Sequence, residues 1–102
     1  MRNTNFVCIV GTLVRKPQSF QAGEHKKVSF TVLEKQTYNG REKIEYIPCV
    51  AWNILGDIAE RLEPEMLVTI TGKIKTDSYE RDGKREYKTF VGVENIVAGM
   101  AI

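Results

Sequence analysis

The sequence predicts an all-β protein, a five-stranded barrel with one helix between strands three and four. Three observations predict it. The dipeptides Asn39-Gly40 and Asp82-Gly83 each separate two runs rich in Val, Ile, Thr and Tyr, and such pairs favour two-residue type I′ hairpins. When residues are paired across either turn, apolar side chains collect on one face, the period-2 pattern of half-buried strands. Only LGDIAERLE, residues 55–63, has helical spacing, through Leu55, Ile58, Ala59 and Leu62, and Glu63-Pro64 stops it.

In chain order, residues 5–14 (NFVCIVGTLV) form the first strand, nearly continuous in apolar character. Gly11 interrupts it and marks a bulge or sharp bend. Arg15-Lys16-Pro17 ends it, and residues 18–26 read as a loop around Ala22-Gly23. Strands follow at 27–38 and 41–53, with Pro48 marking an edge, bulge or local break in the second. Beyond the helix come strands at 66–79 and 84–97, with Val68, Ile70, Gly72, Ile74, Val91 and Val93 facing inward. The order β-β-β-α-β-β is that of the OB-fold, a small Greek-key barrel. Gly11 and Gly72 are the places where strands coil hard enough to close it. The helix plugs the open end with its apolar stripe. One such domain accounts for residues 1–102.

The hairpin faces turned away from the core carry the functional signal. Across Asn39-Gly40, Phe30 opposes Cys49, Val32 opposes Ile47 and Val28 opposes Ala51, all apolar. The reverse face pairs Leu33 with Tyr46, Lys35 with Ile44, Ser29 with Val50 and Lys27 with Trp52. Across Asp82-Gly83, Ile74 opposes Val91 and Gly72 opposes Val93. The reverse face there carries Lys73, Lys75 with Phe90, Asp77 with Lys88, and Tyr79 with Glu86. Aromatics interleaved with lysines on a solvent face suit stacking on nucleobases and neutralisation of phosphates. The candidate platforms are Trp52, Tyr46, Tyr79 and Phe90. The candidate phosphate contacts are Lys27, Lys35, Lys43, Lys73, Lys75, Arg85 and Lys88. Arg41 on one hairpin tip, and Arg81, Lys84 and Arg85 on the other, suit arms that close over a strand. Plainer roles stand beside these. Trp52 serves either a base or a partner subunit, and Arg85 with Glu80 and Lys88 with Asp77 either meet phosphate or brace the hairpin.

Composition bounds the alternatives. Hydrophobic content of 42% and charged content of 27% suit an ordinary globular domain. No apolar run approaches the roughly 20 residues that span a bilayer, and the N-terminus has no signal-peptide core. Cys8 and Cys49 fall at apolar strand positions and read as core packing in a reducing cytosol. The net charge is only +2, but residues 55–65 hold Asp57, Glu60, Glu63 and Glu65 against Arg61, a local −3. That leaves 14 basic against 9 acidic residues elsewhere, a +5 remainder directed toward an anionic partner. An enzyme has little support. The sole histidine, His25, lies in the loop, and no zinc spacing, phosphate-binding loop or carboxylate pair is present, so neither cofactor nor metal is expected. A protein-binding module is the competing class, and the lysines among the aromatics argue against it, because interface cores are depleted in lysine. Phe6, Val7, Cys8, Ile9 and Val10 are apolar on both faces of the first strand, so a partner chain is expected to cover one of them.

The segments Gly11-Thr-Leu, Val28-Ser-Phe-Thr-Val, Ile44-Glu-Tyr-Ile-Pro-Cys-Val-Ala-Trp, Leu55-Gly-Asp-Ile-Ala-Glu-Arg-Leu and Val68-Thr-Ile-Thr-Gly-Lys-Ile-Lys-Thr, with the Tyr79 hairpin, run in order from Phe6 to about Val97. In this run the chain resembles the bacterial single-stranded DNA-binding protein (SSB) family. The resemblance implies sequence-tolerant binding of single-stranded DNA in replication, recombination or repair, a homotetramer built from dimers, and a cytoplasmic location. Four base-stacking positions of that family match Tyr38, Tyr46, Trp52 and Tyr79, the three tyrosines standing where tryptophan is common. Family members that act as replication hubs end in a flexible stretch with an acidic-hydrophobic tip. The sequence here closes on Ala98-Gly-Met-Ala-Ile, so a tail-less version without tail-mediated recruitment is expected. Gly11-Thr-Leu-Val-Arg-Lys-Pro and Phe30-Thr-Val-Leu-Glu are also similar to primosomal replication protein n, a relative that implies a dimer working with primosome proteins.

Overall fold

In the computed structural model, which describes residues 2–99, both Asx-Gly pairs make the turns their chemistry favours. Asn39 and Gly40 have φ of 47° and 77°, and Asp82 and Gly83 have 52° and 78°. Positive φ at both central residues is the type I′ signature, and its twist suits the strands it joins. Pairing then follows the expected register without a slip, from Tyr38↔Arg41 to Lys27↔Trp52 and from Arg81↔Lys84 to Gly72↔Val93.

The strands are β1 (Val7–Leu13), β2 (Gln18–Ala22), β3 (His25–Tyr38), β4 (Arg41–Trp52), β5 (Leu67–Arg81) and β6 (Lys84–Ala98), with α1 (Ile54–Glu60) between β4 and β5. β1 pairs with β5, β5 with β6 and β3 with β4, all antiparallel. β6 runs parallel to β4 at Cys49↔Val91 and Val50↔Gly92. β1 closes the ring on β3 at Thr12↔Leu33 and Leu13↔Val32. The five strands β1, β3, β4, β5 and β6 therefore form a closed OB-fold barrel. Val28, Val32, Ile70 and Val68 are at most 1% exposed at its centre. The two long hairpins run on beyond the barrel. They raise the radius of gyration to 15.0 Å, against about 13 Å for a compact chain of this size.

Closure depends on missing side chains. A Cβ on Gly11 would lie 2.3 Å from the Leu33 carbonyl oxygen, where β1 passes from β5 onto β3. A Cβ on Gly72 would lie 2.1 Å from the Gly92 carbonyl oxygen. The β5–β6 register shifts at Thr71/Gly72, so Glu94 has no partner across the ladder, and this bulge bends the hairpin out of the barrel.

Three expectations are corrected and one is narrowed. Residues 18–26 are not a loop. β2 pairs with the start of β3 from Gln18↔Ser29 to Ala22↔His25, with Gly23 at φ 63° as the first residue of the connecting turn. All five β2 residues are exposed, so no apolar alternation marked the strand in the sequence. The helix ends at Glu60, and Arg61 and Leu62 bond back to Ile58 and Ala59 in a tighter turn that still buries Leu62. Of the alternatives for Pro48, the edge holds, and there is no bulge or break. Pro48 pairs with Thr31 in an unbroken register and precedes Cys49, where β4 first gains β6 as a second neighbour. Cys8 is exposed, because Val7 and Ile9 take the core side of β1. Cys49 is buried, and burial pushes its thiol up to about 12.

A polar latch holds β2 and α1 together. Ser19 Oγ donates to Glu60 Oε2 at 2.5 Å, and Lys26 Nζ lies 2.5 Å from Glu60 and 2.9 Å from Asp57. The hydrogen bonds from Lys26 and Ser19 hold the Glu60 carboxyl below its ordinary 4.5, and those to Glu60 and Asp57 hold Lys26 above its ordinary 10.5. The Glu60 contribution is therefore complete above about 4.5 and is lost as pH falls through the depressed value. The Lys26 contribution is complete below 10.5 and is lost as pH rises through the raised value. Acidification below the ordinary glutamate range should loosen β2 before the barrel melts, seen as selective shifts of β2 amides by NMR. Glu60→Gln should show those shifts at neutral pH. β2 amides that move only with the barrel would show that the latch contributes nothing.

Candidate nucleic-acid interface

The faces of β3, β4 and β6 turned from the core enclose a cleft of about 190 Å³. The period of 2 explains its lining. Even-numbered β3 residues and odd-numbered β4 residues enter the core, so Ser29, Thr31, Pro48 and Val50 point the other way. Val50 is only 5% exposed yet lies outside the core cluster, and with half-buried Phe90 it makes an apolar floor. Arg15, Lys16 and Gln18 close one rim and Lys88 the other.

Trp52 and Lys27 share one row beside this cleft, Trp52 with 47% of its surface exposed. Lys75 opposes Phe90, and its stem lies on bare Gly92, where an added Cβ would sit 2.9 Å from the Lys75 Cγ. Tyr46, 62% exposed, continues the same face along the β3–β4 arm with Lys35. Tyr79 does so along the β5–β6 arm, and its phenol donates to Glu86 at 3.2 Å. That hydrogen bond, with the carboxylate charge, pushes the Tyr79 pKa upward and leaves the ring face open.

Three expected site residues lie on the reverse faces of the arms. Tyr38 donates to Gln36 Oε1 at 2.6 Å, and Gln36 pairs with Lys43, so Tyr38 and Lys43 sit opposite Tyr46. Arg85 lies opposite Tyr79 and donates to Ser78 Oγ at 2.8 Å, not to Glu80. The cations differ in freedom. Lys35 pairs with Glu42 at 3.3 Å, Lys43 with Glu45 at 3.7 Å and Lys73 with Glu94 at 3.6 Å. Among the described residues Arg15, Lys27, Lys75 and Lys88 form no ion pair; Arg15 and Lys88 line the cleft, Lys27 shares the Trp52 row beside it, and Lys75 opposes Phe90. The acidic segment 55–65 is not a separate pole, since Lys26 binds Asp57 and Glu60 and Lys16 binds Glu63. Sequence reasoning missed Arg15, Lys16 and Gln18 because it took them for a strand end and a loop. Their one signal was two adjacent cations on a barrel connection.

The sequence profile described as the Single-strand binding protein family matches residues 4–98. The chain belongs to this family. Among relatives, the single-stranded DNA-binding protein of Clostridium tetani is 31% identical over 98 residues, covering 90% of this chain and 68% of its own length. Single-stranded DNA-binding protein 2 of Streptococcus agalactiae serotype V is 30% identical over 92 residues, covering 85% and 70%. Among solved structures, the Plasmodium falciparum SSB in complex with ssDNA superposes with a TM-score of 0.85 over 96% of each chain. At 11% identity that likeness establishes the shared OB-fold. Family membership also fits the cleft's place, since the OB-fold presents this strand face and its flanking loops to oligonucleotides. No helix among the described residues is long and apolar enough to cross a membrane.

Proposed function

We propose that this SSB-family chain binds single-stranded DNA with little sequence preference and coats strands exposed in replication, recombination or repair. The observation that carries the reading is the cleft, an apolar floor of Val50 and Phe90 rimmed by the unpaired cations Arg15 and Lys88, with unpaired Lys27 and Lys75 in adjoining positions of the same face and Trp52 open beside it. Bases stack on Trp52, Phe90, Tyr46 and Tyr79, each good stack contributing about 1–3 kcal/mol by alanine substitution. Phosphates meet the free cations around the cleft first. Lys35, Lys43 and Lys73 join only by giving up their glutamates. Tyr38, Lys43 and Arg85 engage a strand that wraps round the arms. The role is binding without catalysis, and the two unpaired cysteines fit the bacterial cytosol.

Homo-oligomerisation belongs to the same reading. Val10, Thr69 and Val97 form an outward row across β1, β5 and β6, with Val10 54% and Val97 58% exposed, and Leu67 flanks it. This patch shares no residue with the cleft, so a tetramer or dimer built on it leaves the DNA face open. A replication-restart role with primosome proteins is the narrower version of the proposal.

Trp52 is the only tryptophan, so its fluorescence reports one site per chain. Titration with oligo-dT should give saturable quenching that weakens as salt rises. No quenching, together with no competition from unlabelled strand, would remove Trp52 as a base platform.

A further inference from the structure

The β2 strand that the sequence concealed changes the binding face. Phe20 pairs with Lys27, and Lys27 pairs with Trp52, so the three side chains form one row across β2, β3 and β4 on the side away from the core. Phe20 is 53% exposed and lies outside the core cluster. On the reverse side of the same strands, Ser19 and Lys26 are bonded to Glu60 of α1, so Phe20 is carried on a braced backbone. The next row, Gln18–Ser29–Val50, leads directly into the cleft.

We propose that Phe20 is a further base-stacking platform and that Phe20, Lys27 and Trp52 form a two-base step for single-stranded nucleic acid. The inference rests on the single-strand reading above. Neighbouring strands lie about 4.7–4.9 Å apart, so rings carried by β2 and β4 stand roughly 9–10 Å apart at their roots. That gap is too wide to sandwich one base. It accommodates two bases, one per ring, with the connecting phosphate over the Lys27 ammonium. An ammonium midway between two exposed rings selects an anionic ligand with aromatic groups and disfavours an apolar protein partner.

The test compares oligo-dT with an abasic sugar-phosphate strand of equal length, by fluorescence anisotropy, for the wild type and for Phe20→Ala, Phe20→Leu and Phe20→Tyr. Phe20→Ala should weaken oligo-dT binding about 5- to 100-fold and leave the abasic strand unaffected. Phe20→Tyr should bind like the wild type, and Phe20→Leu should resemble Phe20→Ala. The proposal is overturned if Phe20→Ala binds oligo-dT normally, if both strands lose affinity equally, or if Phe20→Leu restores binding. A change of oligomeric state in Phe20→Ala by sedimentation would also overturn it, by making the ring a subunit contact. A wild type that binds no oligo-dT defeats the single-strand reading itself, a result distinct from all of these.

Discussion

Reversing Lys75 and Lys88 together to glutamate should lower affinity for oligo-dT by about tenfold to a hundredfold at low salt and flatten the dependence of log K on log salt by about 1.4. Each single-strand phosphate contact contributes about 0.7 to that slope, so losing two accounts for the change. The pair is chosen because neither lysine is engaged within the chain. Lys75 is spread over Gly92 beside Phe90, and Lys88 forms the rim of the cleft. The matched reversal of Lys35 and Lys43 should do less. Both already neutralise glutamates, at 3.3 and 3.7 Å, and Lys43 sits on the reverse face of its arm. Equal losses in the two double variants would show that strand charge acts as a diffuse field and that the cleft has no privileged cations. An unchanged slope in Lys75→Glu/Lys88→Glu would mean that no phosphate reaches this rim.

The largest stability effect is expected at Gly72. Gly72→Ala puts a methyl 2.1 Å from the Gly92 carbonyl oxygen and 3.2 Å from the Val93 Cα, so backbone must move on both strands. The bulge that bends the β5–β6 hairpin out of the barrel lies at that point. Overpacking at such a site costs up to about 3 kcal/mol, which for a domain of this size lowers Tm by about 12–24 °C. Thermal unfolding followed by circular dichroism measures it. Gly83→Ala is the contrast. Nothing lies within 4 Å of the Gly83 position, so only its φ of +78° opposes the change. That penalty is about 1–2 kcal/mol. A Gly72→Ala protein as stable as the wild type would mean that the bulge can unwind without disturbing closure.

What was legible in the sequence follows from the range of the physics involved. Asn39-Gly40 and Asp82-Gly83 dictate their turns locally, and each turn sets the partner of every residue along two strands. Alternation then assigns faces. Trp52, Tyr46, Tyr79, Phe90 and the five lysines Lys27, Lys35, Lys73, Lys75 and Lys88 therefore fall on the solvent side, and Gly11 and Gly72 at the crossings, by local rules alone. The same parity put Tyr38 with Phe30, and the structure keeps it on that side of the arm.

β2 was hidden because all five of its residues are exposed and its existence depends on the free edge of β3. With it were hidden Phe20's place in the Trp52 row and the approach of Arg15 and Lys16 to Lys88 across the cleft. The sequence by itself determined the hairpin turns, their registers and which face of each hairpin a residue takes, because these depend on backbone preferences and a period of 2. Only the tertiary structure decided barrel closure through β1 and β3, the latch of Ser19 and Lys26 on Glu60, and which lysines stay free of carboxylates. Those outcomes depend on distances between residues far apart in the chain, which local preferences do not set.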